Sequence, residues 1–311
     1  MKKYIVLLFL GFVIMVSCKS KVIDNEIKIS EVKEVNYIPY YLKMYEADSL
    51  YLANDFQGSY KILDSLFKVY EPLSSDNYVE YGIYLNSAVM SNHLEGIDKK
   101  TRFGYLHFGN IQTHHKKSYE MYLAVNKAAK ISEEEIKELK LQYYNNLNLD
   151  LRKKMLQMYQ DDQTVRLEQK SSEEMDIVDG KNRIELNQIF KKFGFPKKSL
   201  IGSNNAYDVP DGGSLYLNIF FMHQSDSVRN KYLPILLDGV KKGYCEPEIY
   251  AIVYDRDLIL KGQKQYYGTY TCDGDKICPL KNPQKIDSIR ETVGLPHIKF
   301  YPWKVNQFQQ E

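Results

Sequence analysis

The chain has 311 residues, 44% of them hydrophobic, with 42 basic and 40 acidic side chains and a formal net charge of +2. That apolar fraction is enough for a globular protein, and the length is enough for two domains. No concentrated basic stripe stands out, which argues against a nucleic-acid partner.

At the N-terminus, Lys2 and Lys3 precede an apolar stretch, Tyr4 to Val16, then Ser17 and Cys18. A positive head, a short apolar run and a small residue before the cut have the form of an export signal. The run is too short to span a bilayer, which takes about 20 residues. The segment "MVSC" resembles a bacterial lipobox, which implies a lipid on Cys18 and a membrane partner through that lipid. The expected location is the cell envelope, facing the periplasm or the cell surface. Loss of residues 1–17 removes Lys2 and Lys3 and leaves 40 basic residues against 40 acidic ones. Residues 18–36 are polar and mixed in charge, as expected of a tether.

Residues 37–130 have a helical pattern. Ala47, Leu50, Asn54, Phe56, Ser59, Leu63, Leu66 and Pro72 fall near the spacings of a tetratricopeptide repeat, which they resemble. Such repeats offer a concave surface to a protein or peptide partner. "NDF" at Asn54–Phe56 supplies the turn between two helices, and Asp76 is placed to cap the next.

Residues 131–303 form the expected second domain. Ser132 and Glu135 make a capping box that opens a helix expected to run to Glu168. Its apolar stripe, Leu147, Leu151, Met155 and Met158, continues onto Asp162 and Arg166, which are i,i+4 neighbours able to pair. A loop of Ser, Glu and Asp from Ser171 to Gly180 reads as a boundary. "NRIELNQIFKKFGFP" is a helix ended by Gly194 and Pro196. "LYLNIFFMHQ", Leu215 to Gln224, is apolar all round and reads as a buried helix. Asp226 is placed to cap a further helix containing Pro234.

The segment beginning at Pro247 reads as a helix, its alternation also permitting a strand, and its apolar run is interrupted by Asp255, Arg256 and Asp257. "QYYGTYTC" to "ICPL" reads as a small β-hairpin turning at Asp273-Gly274, which could bring Cys272 and Cys278 into a disulfide and would leave Cys245 odd. "NPQKIDSIRETVG" is a short helix with Asp287 and Arg290 within pairing reach. The fold class is therefore mainly α, with helical hairpins followed by a helical domain carrying a small hairpin.

Polar groups on apolar faces are the candidate ligand-binding residues: Asp162, Gln163, Arg166, His223, Gln224, Asp255, Arg256, Gln265, Tyr267, Thr269, Asp287 and Arg290. Several such groups, each interrupting a hydrophobic element, imply a shared interior network. The ordered segments "DDQTVR", "KKFGFP", "MHQSD", "YDRD", "QYYGT" and "IDSIRETVGL" resemble the bacterial family named domain of unknown function 6624, over about Asn145 to Tyr301. The resemblance implies a helical domain in exported bacterial proteins and no particular activity. It carries one departure: the family pattern has its histidine after a glutamine, whereas His223 precedes Gln224.

No nucleophile elbow, metal quartet or phosphate loop is present, so no cofactor and no metal is expected. Adjacent His114 and His115 would point to different helix faces. The leading functional expectation is an envelope lipoprotein acting as an interaction or ligand-binding module. The alternative is a hydrolase working at a pocket lined by Asp162, His223, Asp255 and Arg256. A purely structural role for the ion pairs stands beside both.

Overall fold

The computed structural model describes residues 35–73, 80–206, 213–274 and 276–309. Cys18, the tether and Asp76 lie outside the described residues.

The described chain is mainly helical. The first half contains α1 (Ile38–Leu52), α2 (Phe56–Leu66), α3 (Glu80–Met90), α4 (Ile97–Phe108), α5 (Ser118–Ala129) and α6 (Glu133–Asn146). Next come α7 (Leu149–Leu167), α8 (Ser172–Phe193) and α9 (Lys198–Ile201). The last part contains α10 (Asn218–Met222), α11 (Asp226–Lys241), α12 (Pro247–Leu260), α13 (Ile286–Glu291) and α14 (Phe300–Gln309). Contacts repeat between neighbours in sequence: α1 with α2, α2 with α3, α7 with α8, and α11 with α12.

Local chemistry explains the first pair. Asn54 takes a left-handed conformation at φ 64°, which asparagine tolerates better than most residues. Asp55 then caps α2 by accepting the Gly58 N–H at 2.9 Å. A side chain at Gly58 would meet that carboxylate at 2.5 Å. Small Ser59 on α2 approaches α3 closely enough for its Oγ to lie 3.1 Å from that of Ser87.

One hydrophobic cluster runs from Tyr40 through Met155 and Phe220 to Leu295, so the segments 37–130 and 131–303 share a core. α4 packs on α6 across the two segments, and α1 adds polar links. Tyr41 donates its hydroxyl proton to the carbonyls of Val240 and Cys245, and Tyr45 donates to Glu248. Asp48 meets Lys304 of α14 at 2.5 Å in a buried ion pair.

Several expectations are corrected. The helix from Ser132 does not continue to Glu168; Leu147 turns extended at ψ 151°, and Asn148 caps a new helix by accepting the Leu151 N–H. The polar stretch from Ser171 to Gly180 is no loop. Ser171 and Glu174 form a reciprocal capping box, and α8 runs unbroken through it. Of the apolar run from Leu215, only Asn218–Met222 is helical. Ser225, not Asp226, occupies the N-cap position of α11, and Pro234 lies inside that helix.

Residues 265–280 contain isolated bridges rather than paired strands: Thr271 with Ile277 and Gln265 with Leu280. The described strand pair is elsewhere, Asn205–Ala206 (β1) against Gly213–Ser214 (β2), in antiparallel register. Cys272 and Cys278 are joined by a disulfide, and Cys245 is buried and lies outside that bridge.

Candidate functional site

The predicted polar groups gather in three places, the second and third of which share the backbone of Tyr267. The first is built on α7 and α8, which fold back on each other through a turn where Gln169 adopts φ 53°. Asp162 points from α7 toward this partner and is 1% exposed. One turn later, Arg166 bridges two carboxylates. Its Nη1 donates to Asp162 Oδ1 at 3.0 Å, and its Nη2 to both oxygens of Asp179 at 2.9 Å.

His223 follows the last residue of α10, where a two-residue link, Gln224 and Ser225, leads into α11. That link is pinned. Gln224 donates to the Asp179 carbonyl at 3.1 Å, and Arg229 of α11 donates to the carbonyls of Met222 and Gln224. The result sets His223 Nδ1 at 2.9 and 3.0 Å from the oxygens of Asp162. Gln163 donates to Asp162 Oδ2 at 2.7 Å. Asp162 thus receives protons from histidine, arginine and glutamine.

A carboxylate accepting from Nδ1–H leaves the neutral imidazole with its lone pair on Nε2. Nε2 makes no hydrogen bond with any described residue, and the His223 side chain keeps 15% of its surface exposed. Burial raises the Asp179 carboxyl above its ordinary range, with Arg166 working against that rise.

Asp162, Asp179 and His223 each offer one ligand atom, and these atoms lie within 4.8 Å of one another. Their chemistry suits a divalent cation. The Arg166 guanidinium already stands between the two carboxylates, so a cation would have to displace it or share its acceptors.

The second place is centred on Asp255, which is fully buried. It pairs with no arginine among the described residues. Its oxygens accept the backbone N–H groups of Tyr266, Tyr267 and Thr269 and the Thr269 hydroxyl, at 2.7 to 3.2 Å. Gln265 completes this loop by donating to the carbonyls of Tyr270 and Cys278 and accepting the Tyr270 N–H. Asp255, Gln265 and Tyr267 therefore shape the backbone of a loop. Arg256 is half-buried, and its Nε lacks a hydrogen-bond partner. Asp257 turns the other way, to Lys261 and Arg229.

The third place is Arg290 and Asp287, which do not pair. Arg290 donates to the carbonyls of Pro296 and Tyr267, both at 2.6 Å. Asp287 accepts the Ile298 N–H and meets His297 at 2.8 Å. Asp162 and Asp255 have no hydrogen-bond partner in common among the described residues; Tyr270, whose hydroxyl reaches Met222 Sδ and the Ile252 carbonyl, and Arg229, which donates to the carbonyls flanking His223 and meets Asp257, link their surroundings.

Asp179 was missed because its stretch reads as a polar loop. The signal was present: Asp179, Asn182, Leu186 and Ile189 follow steps of three, four and three, and all are buried. No family model matches the chain, and neither a curated protein nor a solved structure matches it.

Proposed function

We propose that the chain is a hydrolase in which His223, held by Asp162, activates water. The observation that carries this reading is the free Nε2 of a histidine whose other nitrogen is bonded to a buried carboxylate. Nε2 takes a proton from water, the water oxygen attacks the electrophilic centre, and Asp162 stabilises the imidazolium. The same proton then passes to the leaving group. No serine or cysteine hydrogen-bonds His223 among the described residues, which makes water the nucleophile in this reading. Arg166 and Asp179 position Asp162 through the shared guanidinium.

The test is a panel of p-nitrophenyl acetate, butyrate and phosphate and a set of peptide anilides. The expected result is turnover of one class and a loss of about 100-fold or more in His223→Gln at an unchanged melting temperature. An H223Q protein as active as its parent, or no turnover of any class, refutes the proposal.

The same proposal puts the enzyme at the cell envelope, supported by the Lys2–Cys18 sequence pattern. The ordered segments from Asp161 to Leu295 support membership of the family named above. The α1–α2 hairpin, turning at Asn54, supports a tetratricopeptide-like surface for a protein or peptide partner.

A further inference from the structure

A cavity of about 370 Å³ lies between α12, α13, α14 and the disulfide-closed loop. Its walls are mostly apolar, with Ile249, Ile252, Leu295 and Ile298 among them. Two charged side chains of opposite sign border it, Arg290 and Glu248.

Arg290 is 4% exposed and carries its charge into this apolar surrounding. Its Nε and Nη1 are committed to the carbonyls of Pro296 and Tyr267. Nη2 has no hydrogen-bond partner among the described residues. Glu248 is complementary. Its Oε1 accepts the hydroxyls of Tyr45 and Tyr301, while Oε2 has no partner among the described residues. The two charges feel each other without forming an ion pair.

Two opposite, half-satisfied charges at one apolar cavity cost free energy unless something joins them. A simple anion would satisfy Arg290 and be repelled by Glu248; a simple cation would do the reverse. A zwitterion satisfies both and leaves the site neutral. The volume exceeds that of a single side chain, and the walls suit an apolar one. We infer that this cavity binds a free apolar α-amino acid, its carboxylate on Arg290 Nη2 and its ammonium on Glu248 Oε2.

The loop geometry fits a close approach. Gly268 lines the cavity at φ +73°, and a Cβ there would meet Ile298 Cδ1 at 2.8 Å. The loop's position is set independently by Asp255 and by the disulfide. This site is separate from His223, so its test does not depend on the proposed hydrolysis.

The experiment is calorimetric titration of the full chain with leucine and phenylalanine, alongside N-acetyl-leucine and leucinamide. The expected result is binding of the free amino acids, with each blocked derivative weaker by about tenfold or more because one charge loses its partner. Arg290 also holds two carbonyls, so a substitution there disturbs the fold together with the site. Two other variants serve as controls: Glu248→Gln removes one charge, and Ile252→Phe fills the cavity. Both are expected to melt cooperatively and to lose binding about tenfold or more. Equal affinity for the blocked derivatives overturns the proposal. So does the absence of binding by the parent chain at about 10 mM ligand, a concentration that detects even millimolar affinity.

Discussion

Replacing Asp255 with asparagine tests whether this buried charge shapes the 265–280 loop. One oxygen of Asp255 accepts the N–H groups of Tyr266 and Tyr267 at 2.7 and 3.0 Å; the other accepts the N–H and hydroxyl of Thr269 at 3.1 and 2.9 Å. Asparagine can match one pair with its carbonyl but must present N–H groups to the other. The Thr269 hydroxyl can rotate and accept; the Thr269 N–H cannot. Hydrogen bonds to a charged acceptor contribute about 1.5–3 kcal/mol each, and a stranded buried donor costs about 1–3 kcal/mol. Against this stands the relief of no longer burying a charge, worth a few kcal/mol. The net expectation is a loss of about 3 kcal/mol, or a fall of about 6 °C in melting temperature for a chain of this size. Thermal unfolding followed by far-UV circular dichroism measures it, with Thr269→Val as a milder comparison at about 1 kcal/mol. A melting temperature for D255N within about 1 °C of the parent would refute the account of the loop.

Arg152 is buried without a carboxylate and donates instead to the carbonyls of Ile201, Ser203 and Gly213 at 2.8 to 2.9 Å. Arg152→Ala should lose about 3–5 kcal/mol in urea unfolding, and Arg152→Lys should not recover it, because one ammonium cannot span these acceptors. Opening the Cys272–Cys278 loop by serine substitution at both positions should cost about 2 kcal/mol, the entropy of a short closed loop. Reductant should lower the parent's melting temperature similarly and leave the double variant unchanged. Burial raises the Asp48 carboxyl above the ordinary aspartate value of 3.8, with Lys304 opposing. The folded chain then holds this proton more readily than the unfolded one just above pH 3.8, so Asp48 contributes less to stability as pH rises through that window. Asp48→Asn should flatten that part of a stability-versus-pH profile.

Much of the helical architecture was legible in local chemistry. Pro247 opens α12, Asn54 turns α1 into α2, Asp162 continues the buried stripe of α7, and Arg166 pairs with it one turn later. The break between α6 and α7 was hidden because Asn148 acts as a cap only when its side chain turns back to Leu151, and the apolar stripe does not record that. The hairpin expected near Cys272 is reduced to a single bridge, Thr271 with Ile277, because Asp255 and Gln265 take up the backbone N–H groups of residues 266–270 that a longer strand would pair. Asp179 escaped notice because a run of Ser, Glu and Asp is polar whether it coils or continues a helix.

By itself, the sequence determined most of the helical segments and several of the charged residues that must find partners inside. Both follow from short-range periodicity and from the cost of burying a charge. Which partners those charges found was decided by tertiary structure alone. Asp162 met a histidine 61 residues away, Asp255 met backbone amides rather than an arginine, and Arg290 met Glu248 only across a cavity. Electrostatic partners depend on distances between elements remote in the chain, and only the packed core fixes those distances.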